Sequence, residues 1–268
     1  MTTFEQDWAD WHAGHEAALV APHGFLAVTS LNFLGAEPTR FPDAPGEWSS
    51  TPAGVSVELR SDESLELDDE TITGRHDFGV LPERGGVTVR SGDLALEVAK
   101  RGGFDVLRPR DPRNPLRTSF TGTPVFPAQR DWVVTGYFSW FVKPRPTTVG
   151  AAVEGLEHVY EAIGEITFDL KGRSFALTAF PGHSAGELLV LFSDETAGVT
   201  THPAVRSLSI QAPTAGEVTL DFNRAVNLPC AYTPYATCPY PPLENRLPIA
   251  VTAGERLPEP AELERAAG

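Results

Sequence analysis

The chain has 268 residues, of which 41% are hydrophobic, and it carries a formal net charge of -15 at pH 7. This composition is typical of a globular protein, and the length suffices for one large β domain or two small domains. The negative charge repels phosphate backbones and anionic lipid, so we expect neither a nucleic-acid partner nor a membrane partner.

The N-terminal sequence and the cysteine content indicate the compartment. The first twelve residues, MTTFEQDWADWH, are acidic and lack the basic and apolar regions of a secretory signal. No apolar run approaches the length that crosses a bilayer. The two cysteines, Cys230 and Cys238, are compatible with a reducing environment. We therefore expect a cytoplasmic protein.

Residues 3–20 predict an N-terminal helix. Thr3 and Gln6 have the spacing of a capping box. Pro22 and Gly24 are typical of the region just after a helix. Because large side chains recur at steps of three and four residues, we expect one face of this helix to dock on a β core. That face comprises Phe4, Trp8, Trp11, His15 and Leu19.

The chain from 25 to about 115 predicts a small β-sandwich-like domain. Its short apolar or alternating runs indicate strands. The acidic stretch 61–70 interrupts these runs, and we expect it to be a solvated face or loop rather than a cation site, because its carboxylates lack the spacing of a calcium loop. The expected strands cover 55–59, 87–90, 94–99 and 104–107.

The remainder, 116–257, predicts an antiparallel β-barrel or sandwich domain, followed by a flexible tail at 258–268. A hairpin is expected over 164–180, with Lys171 and Gly172 at its turn. Helical crossovers between strands are missing from the pattern, which argues against a nucleotide-binding parallel sheet. The fold class is therefore mainly β. Other strands are expected at 131–142, 187–193, 206–211, 217–222 and 248–252.

One motif suggests a serine hydrolase. Gly182-His183-Ser184-Ala185-Gly186 matches the pattern of a nucleophile elbow, which requires a strand before the serine and a helix after it. Here a short β-like run follows instead. We therefore interpret 181–186 as a hairpin loop, and an esterase that uses Ser184 stays an alternative. A second turn is expected at Asp194–Gly198, with Asp194 capping the backbone.

The segment 221–246, called the proline-rich segment below, is the most unusual part of the chain. It contains both cysteines and five prolines, and no residue between Ala225 and Leu243 is charged. Its prolines exclude a helix or a central strand. We therefore expect it to line a pocket. The cysteines could be buried thiols, a disulfide, a nucleophile, or metal ligands that recruit His76 and His202.

Polar side chains at the two ends of the proline-rich segment are the candidate ligand-binding groups. Their arginines could pair with nearby carboxylates, or they could bind an anion bidentately. We expect a small anionic ligand, with Tyr232 adding aromatic wall, and we assign no catalytic residue, metal or cofactor. A non-catalytic interaction protein is a further alternative. The candidates are Arg206, Asp221, Asn223, Arg224, Asn227, Tyr235, Asn245 and Arg246.

The C-terminal half contains a set of distinctive motifs. They comprise Phe192-Ser193-Asp194-Glu195-Thr196-Ala197-Gly198, Asp221-Phe222-Asn223-Arg224-Ala225, Pro229-Cys230-Ala231, Tyr235-Ala236-Thr237-Cys238-Pro239 and Glu244-Asn245-Arg246-Leu247. The Trp-rich helix, the run from Arg101 to Asp111, and Phe120-Thr121-Gly122 with Phe126-Pro127 accompany them. Together these motifs resemble the uncharacterised bacterial family known as domain of unknown function 1684, from whose pattern this sequence departs at His202 and at Leu228. The resemblance implies no activity; it implies that the C-terminal motif is the distinctive part.

Overall fold

The computed structural model describes residues 3–213 and 216–258, which form two compact units. The first unit comprises the described residues of Met1–Glu16, Thr121–Tyr232 and Thr237–Pro260. The second comprises those of Ala17–Phe120 and Thr233–Ala236. Apart from Pro258, the predicted tail lies outside the described residues. No helix in the described part of the chain is long and apolar enough to span a membrane.

The predicted N-terminal helix is confirmed as α1, Phe4–Leu19. The backbone N–H of Gln6 donates to Thr3 Oγ1 at 3.1 Å, as the capping pattern predicts. Residues 4–16 of the helix belong to the first unit, where Trp8 Nε1 donates to the carbonyl oxygen of Asn223 at 2.7 Å. The predicted docking of its aromatic face therefore occurs within the first unit.

The second unit is a sandwich of two antiparallel sheets, which agrees with the sandwich-like prediction. One sheet has the order β1-β10-β9-β8-β5-β6 and the other β2-β3-β4-β7. A common core contains Trp48 and Val57 from one sheet and Leu96 and Leu107 from the other. The elements are β1 Asn32–Phe33, β2 Thr39–Arg40, β3 Glu47–Thr51, β4 Gly54–Glu58, β5 Leu65–Leu67, β6 Glu70–Ile72, β7 Arg75–Gly79, β8 Gly86–Ser91, β9 Leu94–Arg101, β10 Phe104–Arg110 and the short helix α2 Pro115–Thr118.

The prediction that 61–70 is a solvated face or loop holds for its exposure, because most of its residues are exposed to solvent, but the stretch is not a loop. This stretch contains β5 and the start of β6, which pair as a hairpin. Asp68 and Asp69 form the turn with positive φ of 47° and 68°, a conformation that aspartate tolerates better than most residues. Leu65 and Ile72, which are partners in the ladder, are both buried in the core. Burial of these two apolar residues stabilises the hairpin despite the density of charge around them.

The first unit is built on a sheet with the order β16-β11-β12-β13-β14-β15-β17, in which neighbouring strands are antiparallel. Among the described residues this order is an open path, and β18 pairs with β14 in parallel. Its core includes Phe138, Ile166, Phe192 and Phe222. The strands are β11 Val133–Gly150, β12 Glu157–Leu170, β13 Arg173–Pro181, β14 Glu187–Asp194, β15 Arg206–Gln211, β16 Glu217–Asp221, β17 Val226–Asn227 and β18 Arg246–Leu247.

Two local predictions in this unit have opposite outcomes. The turn at Lys171-Gly172 between β12 and β13 is confirmed, with φ of 50° and 74°. The strand predicted at 248–252 is wrong, because this stretch is irregular. Side chains replace a ladder there: Val251 N donates to Asp194 Oδ1 at 3.1 Å, and Val251 O accepts from Arg206 Nη2 at 3.0 Å.

Candidate functional site

Two inward-pointing amides hold the ends of the proline-rich segment. Asn223 exchanges two hydrogen bonds with the backbone of Gln129, both at 2.9 Å. Asn245 is fully buried and accepts from Thr178 N at 2.7 Å while donating to the carbonyls of Thr178 and Leu191. These side chains satisfy backbone groups that no strand neighbour reaches. Both predicted site residues therefore have protein partners.

Arg206 is a buried member of the predicted set. Its guanidinium lies 2.7 Å from Asp194 Oδ2 and over the ring of Phe192, and it also donates to the carbonyl oxygens of Val251 and Ala253. Burial lowers the pKa of Arg206, although the charge of Asp194 opposes this. Asp194 Oδ1 accepts from Thr196 N at 2.9 Å, which confirms the predicted turn. Ligand contact by Arg206 stays a prediction.

A buried polar group called the Glu255 cluster connects helix α1 to the C-terminal part of the first unit. Glu255 Oε1 lies 3.4 Å from His12 Nε2 and 3.3 Å from His15 Nε2. Its Oε2 accepts from Asn227 N at 2.6 Å and from the Tyr232 hydroxyl at 3.3 Å. The predicted residues Asn227 and Tyr232 thus meet a carboxylate that the sequence analysis did not assign.

The Glu255 cluster shifts the pKa values of its members in opposite directions. The contact with Glu255 raises the pKa of His12, against the effect of burial. Burial opposes ionisation of Glu255, but its contacts with His12 and His15 lower its pKa overall. Burial raises the pKa of Tyr232, and the neighbouring negative charge of Glu255 acts in the same direction. Together these shifts favour a charged pair of His12 and Glu255.

We expect the pH dependence of unfolding to report on this pair. A raised pKa in the folded protein makes His12 stabilising below about 6.5, and this contribution is lost as the pH rises through the folded pKa. The lowered pKa of Glu255 makes it stabilising above about 4.5, and that contribution is lost as the pH falls. Urea unfolding at a series of pH values should therefore show the pair's full contribution between about 4.5 and 6.5.

His12→Gln provides the control for this prediction. The variant keeps a polar side chain but does not titrate, so it should reduce the loss of stability that sets in as the pH rises above about 6.5. An unchanged slope above this pH would contradict the assignment of the raised pKa to His12.

The cysteines of the proline-rich segment are thiols and are not joined by a disulfide. Cys230 N donates to Cys238 Sγ at 3.3 Å, and the hydrogen bond with Cys238 lowers the pKa of the Cys230 thiol. His202, one proposed recruit for a metal site, accepts from Ala204 N through its Nδ1. Among the described residues, no group of three or more His, Cys, Asp or Glu side chains is placed to hold a metal ion.

Ser184 lies on an exposed loop between β13 and β14, as interpreted from the sequence. Glu187 Oε2 accepts from the backbone N–H groups of His183 and Ser184 at 2.9 and 3.2 Å. The chain then continues as strand β14, so the helix that a nucleophile elbow requires does not follow this serine. The carboxylate of Glu187, at the start of β14, therefore closes this loop.

The predicted residues Asp221 and Arg224 line an open groove of about 880 Å³ in the first unit. Arg224 Nε lies 3.3 Å from Asp221 Oδ2, and the guanidinium lies over the ring of Trp11 at 5.3 Å from its centroid. Arg130 also lines the groove, with its guanidinium 4.8 Å from the centroid of Phe4. The groove thus has two cationic groups that rest on aromatic rings of α1.

The remaining candidates, Tyr235 and Arg246, lie elsewhere. Arg246 is exposed on β18. Tyr235 is half-buried in the part of the proline-rich segment that belongs to the second unit, and its N–H donates to Thr233 Oγ1 at 3.2 Å. Of the eight candidates, only Asp221 and Arg224 line the groove of the first unit.

Comparisons with known proteins identify a family and a solved structure that are similar to part of this chain. The model of a family described as protein of unknown function (DUF1684) matches residues 118–256. The solution NMR structure of an uncharacterized protein of Haloarcula marismortui is 32% identical over 52% of this chain and 78% of that chain, with a TM-score of 0.44. Among curated proteins no significant match is found.

Proposed function

Since the chain belongs to the DUF1684 family, described as proteins of unknown function, we propose its function from the geometry of its first unit. The proposal is that the groove beside α1 binds a small anionic molecule. One observation carries it: Arg130 and Arg224 line the same groove, each resting on an aromatic ring. A planar guanidinium held in this way keeps its N–H edge for a carboxylate or a similar group.

Neither guanidinium is fully engaged by the protein. Arg130 forms no ion pair with a described residue, and Arg224 Nε lies 3.3 Å from Asp221 Oδ2 without forming a hydrogen bond. The side chain of Arg224 is 40% exposed, and pairs this accessible to water contribute only about 0–1 kcal/mol. The acidic group of a ligand therefore competes with a weak internal contact, and its own two oxygens can engage both N–H groups of one edge.

The rest of the groove specifies further features of the ligand. Trp8, Ile210 and Val218 provide an apolar wall. Asp7 and Glu217 add carboxylates, which accept hydrogen bonds from a hydroxyl or an ammonium group. The volume falls in the range of about 300–1,000 Å³ that is usual for small-molecule sites. We therefore infer a ligand with an acidic group, an apolar body and at least one hydrogen-bond donor.

Carboxylate binding tests the proposal directly. We expect members of a panel of aromatic and aliphatic carboxylates to raise the melting temperature, whereas the matching primary amides do not. Arg130→Gln and Arg224→Gln should each weaken binding of the best carboxylate by about tenfold or more, because each removes a charge-assisted contact. Isothermal titration calorimetry measures the change in affinity.

Arg145→Gln is the matched control. Its guanidinium also lies over an aromatic ring, that of Phe141 in the same unit, but it is outside the groove. This variant should bind the carboxylate as the unmodified protein does. Equal losses in all three variants would indicate a general electrostatic effect and contradict the site, as would binding of the amides with the same affinity.

A further inference from the structure

The second unit contains a concentration of arginines on one sheet face. In the register of β8, β9 and β10, Ala95 is opposite Arg90 and Arg110, and Glu97 is opposite Thr88 and Arg108. Cross-strand partners point to the same side of a sheet. The opposite side carries core residues such as Val89, Leu96 and Leu107. The arginines therefore lie on the face directed away from that core.

Glu97 is surrounded by more positive charge than it can neutralise. Its carboxylate lies 2.6 Å from Arg108 Nη2, 2.6 Å from Arg110 Nη2 and 2.9 Å from Arg101 Nη2. Burial disfavours its charged form, but the charges and hydrogen bonds of Arg108 and Arg110 lower its pKa to about 2. Arg108 and Arg110 bring two positive charges to this one ionised carboxylate, which leaves a surplus of positive charge.

Glu97, Arg101 and Arg110 of this group line a pocket of about 380 Å³. Arg84 and Arg90 line the same pocket and are exposed, which extends the cationic wall. The floor consists of small residues, including Gly86, where a Cβ atom would lie 2.6 Å from Val98 O and 2.8 Å from Ala99 Cβ. Because these residues carry small side chains or none, the space above the sheet stays open between the arginines.

The inner arginines are held in place before any ligand arrives. The guanidinium groups of Arg108 and Arg110 lie over the ring of Phe25, at 5.6 and 5.0 Å from its centroid. Arg110 also donates to the carbonyl oxygen of His23 at 2.8 Å, and Arg101 to that of Gly85 at 2.9 Å. Fixed donors lose little conformational entropy on binding, so a preformed cationic pocket favours affinity.

We propose that this arginine pocket binds an oxyanion of the phosphate or sulfate type that carries two negative charges. Guanidinium groups recognise such anions through paired N–H donors, and several of them are required to balance two charges. The net charge of the whole chain is -15, so this local positive region contrasts with the rest of the protein. The site is independent of the groove proposed for the first unit.

Inorganic phosphate is the first probe. Titrated into the full chain at constant ionic strength, it should raise the melting temperature, whereas chloride at the same ionic strength should not. Arg84→Gln combined with Arg90→Gln should weaken phosphate binding by about tenfold or more. These two side chains are exposed, so the variant is expected to fold, which circular dichroism can verify.

Two controls make the outcome specific. Arg75→Gln removes an exposed arginine of the same unit that pairs with Asp77 and lies outside the pocket, and it should leave phosphate binding unchanged. Arg130→Gln should also leave it unchanged, which separates this site from the groove of the first unit. A chain that does not respond to phosphate or sulfate, or an equal response in the double variant, would overturn the proposal.

Glycerol 3-phosphate distinguishes a pocket for the free phosphate ion from a pocket for the phosphate group of a larger metabolite. Binding at least as tight as that of inorganic phosphate would assign the pocket to the phosphate group of a larger metabolite. Binding of inorganic phosphate alone would assign it to the free ion. Both results support an oxyanion pocket, provided that the double variant binds each of these ligands more weakly.

Discussion

Replacing Arg206 with methionine is expected to lower the free energy of unfolding by about 3–5 kcal/mol. The change leaves the carboxylate of Asp194 buried without its cation, because the side chains of this pair are only 2% and 1% exposed. It also removes the donors to the carbonyl oxygens of Val251 and Ala253, which have no strand partner. Uncompensated burial of a charge is among the largest effects of a single substitution.

Arg246→Met is the control for this experiment. It is also an arginine of the predicted set, but it is exposed on β18, and substitutions of this kind usually change stability by less than about 0.5 kcal/mol. Urea unfolding followed by tryptophan fluorescence gives both values. A loss below about 1 kcal/mol in Arg206→Met would show that its pairing with Asp194 is not important for stability.

Asn245→Leu is expected to cost about 2–4 kcal/mol. The leucine has a similar size, but it leaves the N–H and carbonyl of Thr178 and the carbonyl of Leu191 without their partner, in a site that is fully buried. Each buried group without a hydrogen bond costs about 1–3 kcal/mol, partly offset by the added apolar burial.

The matched change is Asn32→Leu. Asn32 is half-buried, and its amide nitrogen donates to Ser30 Oγ at 2.8 Å and, at 3.5 Å, to one backbone carbonyl, that of Leu107. We expect it to cost about 1 kcal/mol or less. Similar losses in the two variants would contradict the view that Asn245 fixes the end of the proline-rich segment.

The sequence predicted an element correctly wherever its local pattern agrees with its burial in the fold. The helix α1 and the hairpin turn at Lys171-Gly172 follow from spacing and turn chemistry alone. The hairpin within 61–70 was missed because its charge density resembles a loop, while its anchors, Leu65 and Ile72, are isolated apolar residues. The irregular stretch 248–252 has the alternation of a strand, since Ile249 and Val251 are buried and their neighbours are not, but side chains rather than a partner strand bind the backbone of Val251.

The sites were less predictable, because their members come together only in the fold. Asp221 and Arg224 were found as polar residues at the end of an uncharged segment. Arg130 and Glu255 were not, since nothing in the local sequence connects them to the aromatic face of α1. The arginine pocket has one local signal, the two-residue spacing of Arg108 and Arg110, but the strand register is needed to place Glu97 opposite Arg108.

The most direct test of the proposed function is an NMR measurement of arginine Nε–Hε resonances during titration with the best carboxylate from the panel. The account predicts that the signals of Arg130 and Arg224 shift together and saturate with one affinity, while those of Arg145 and Arg75 stay unchanged. A carboxylate that binds tightly and shifts neither Arg130 nor Arg224 would contradict it.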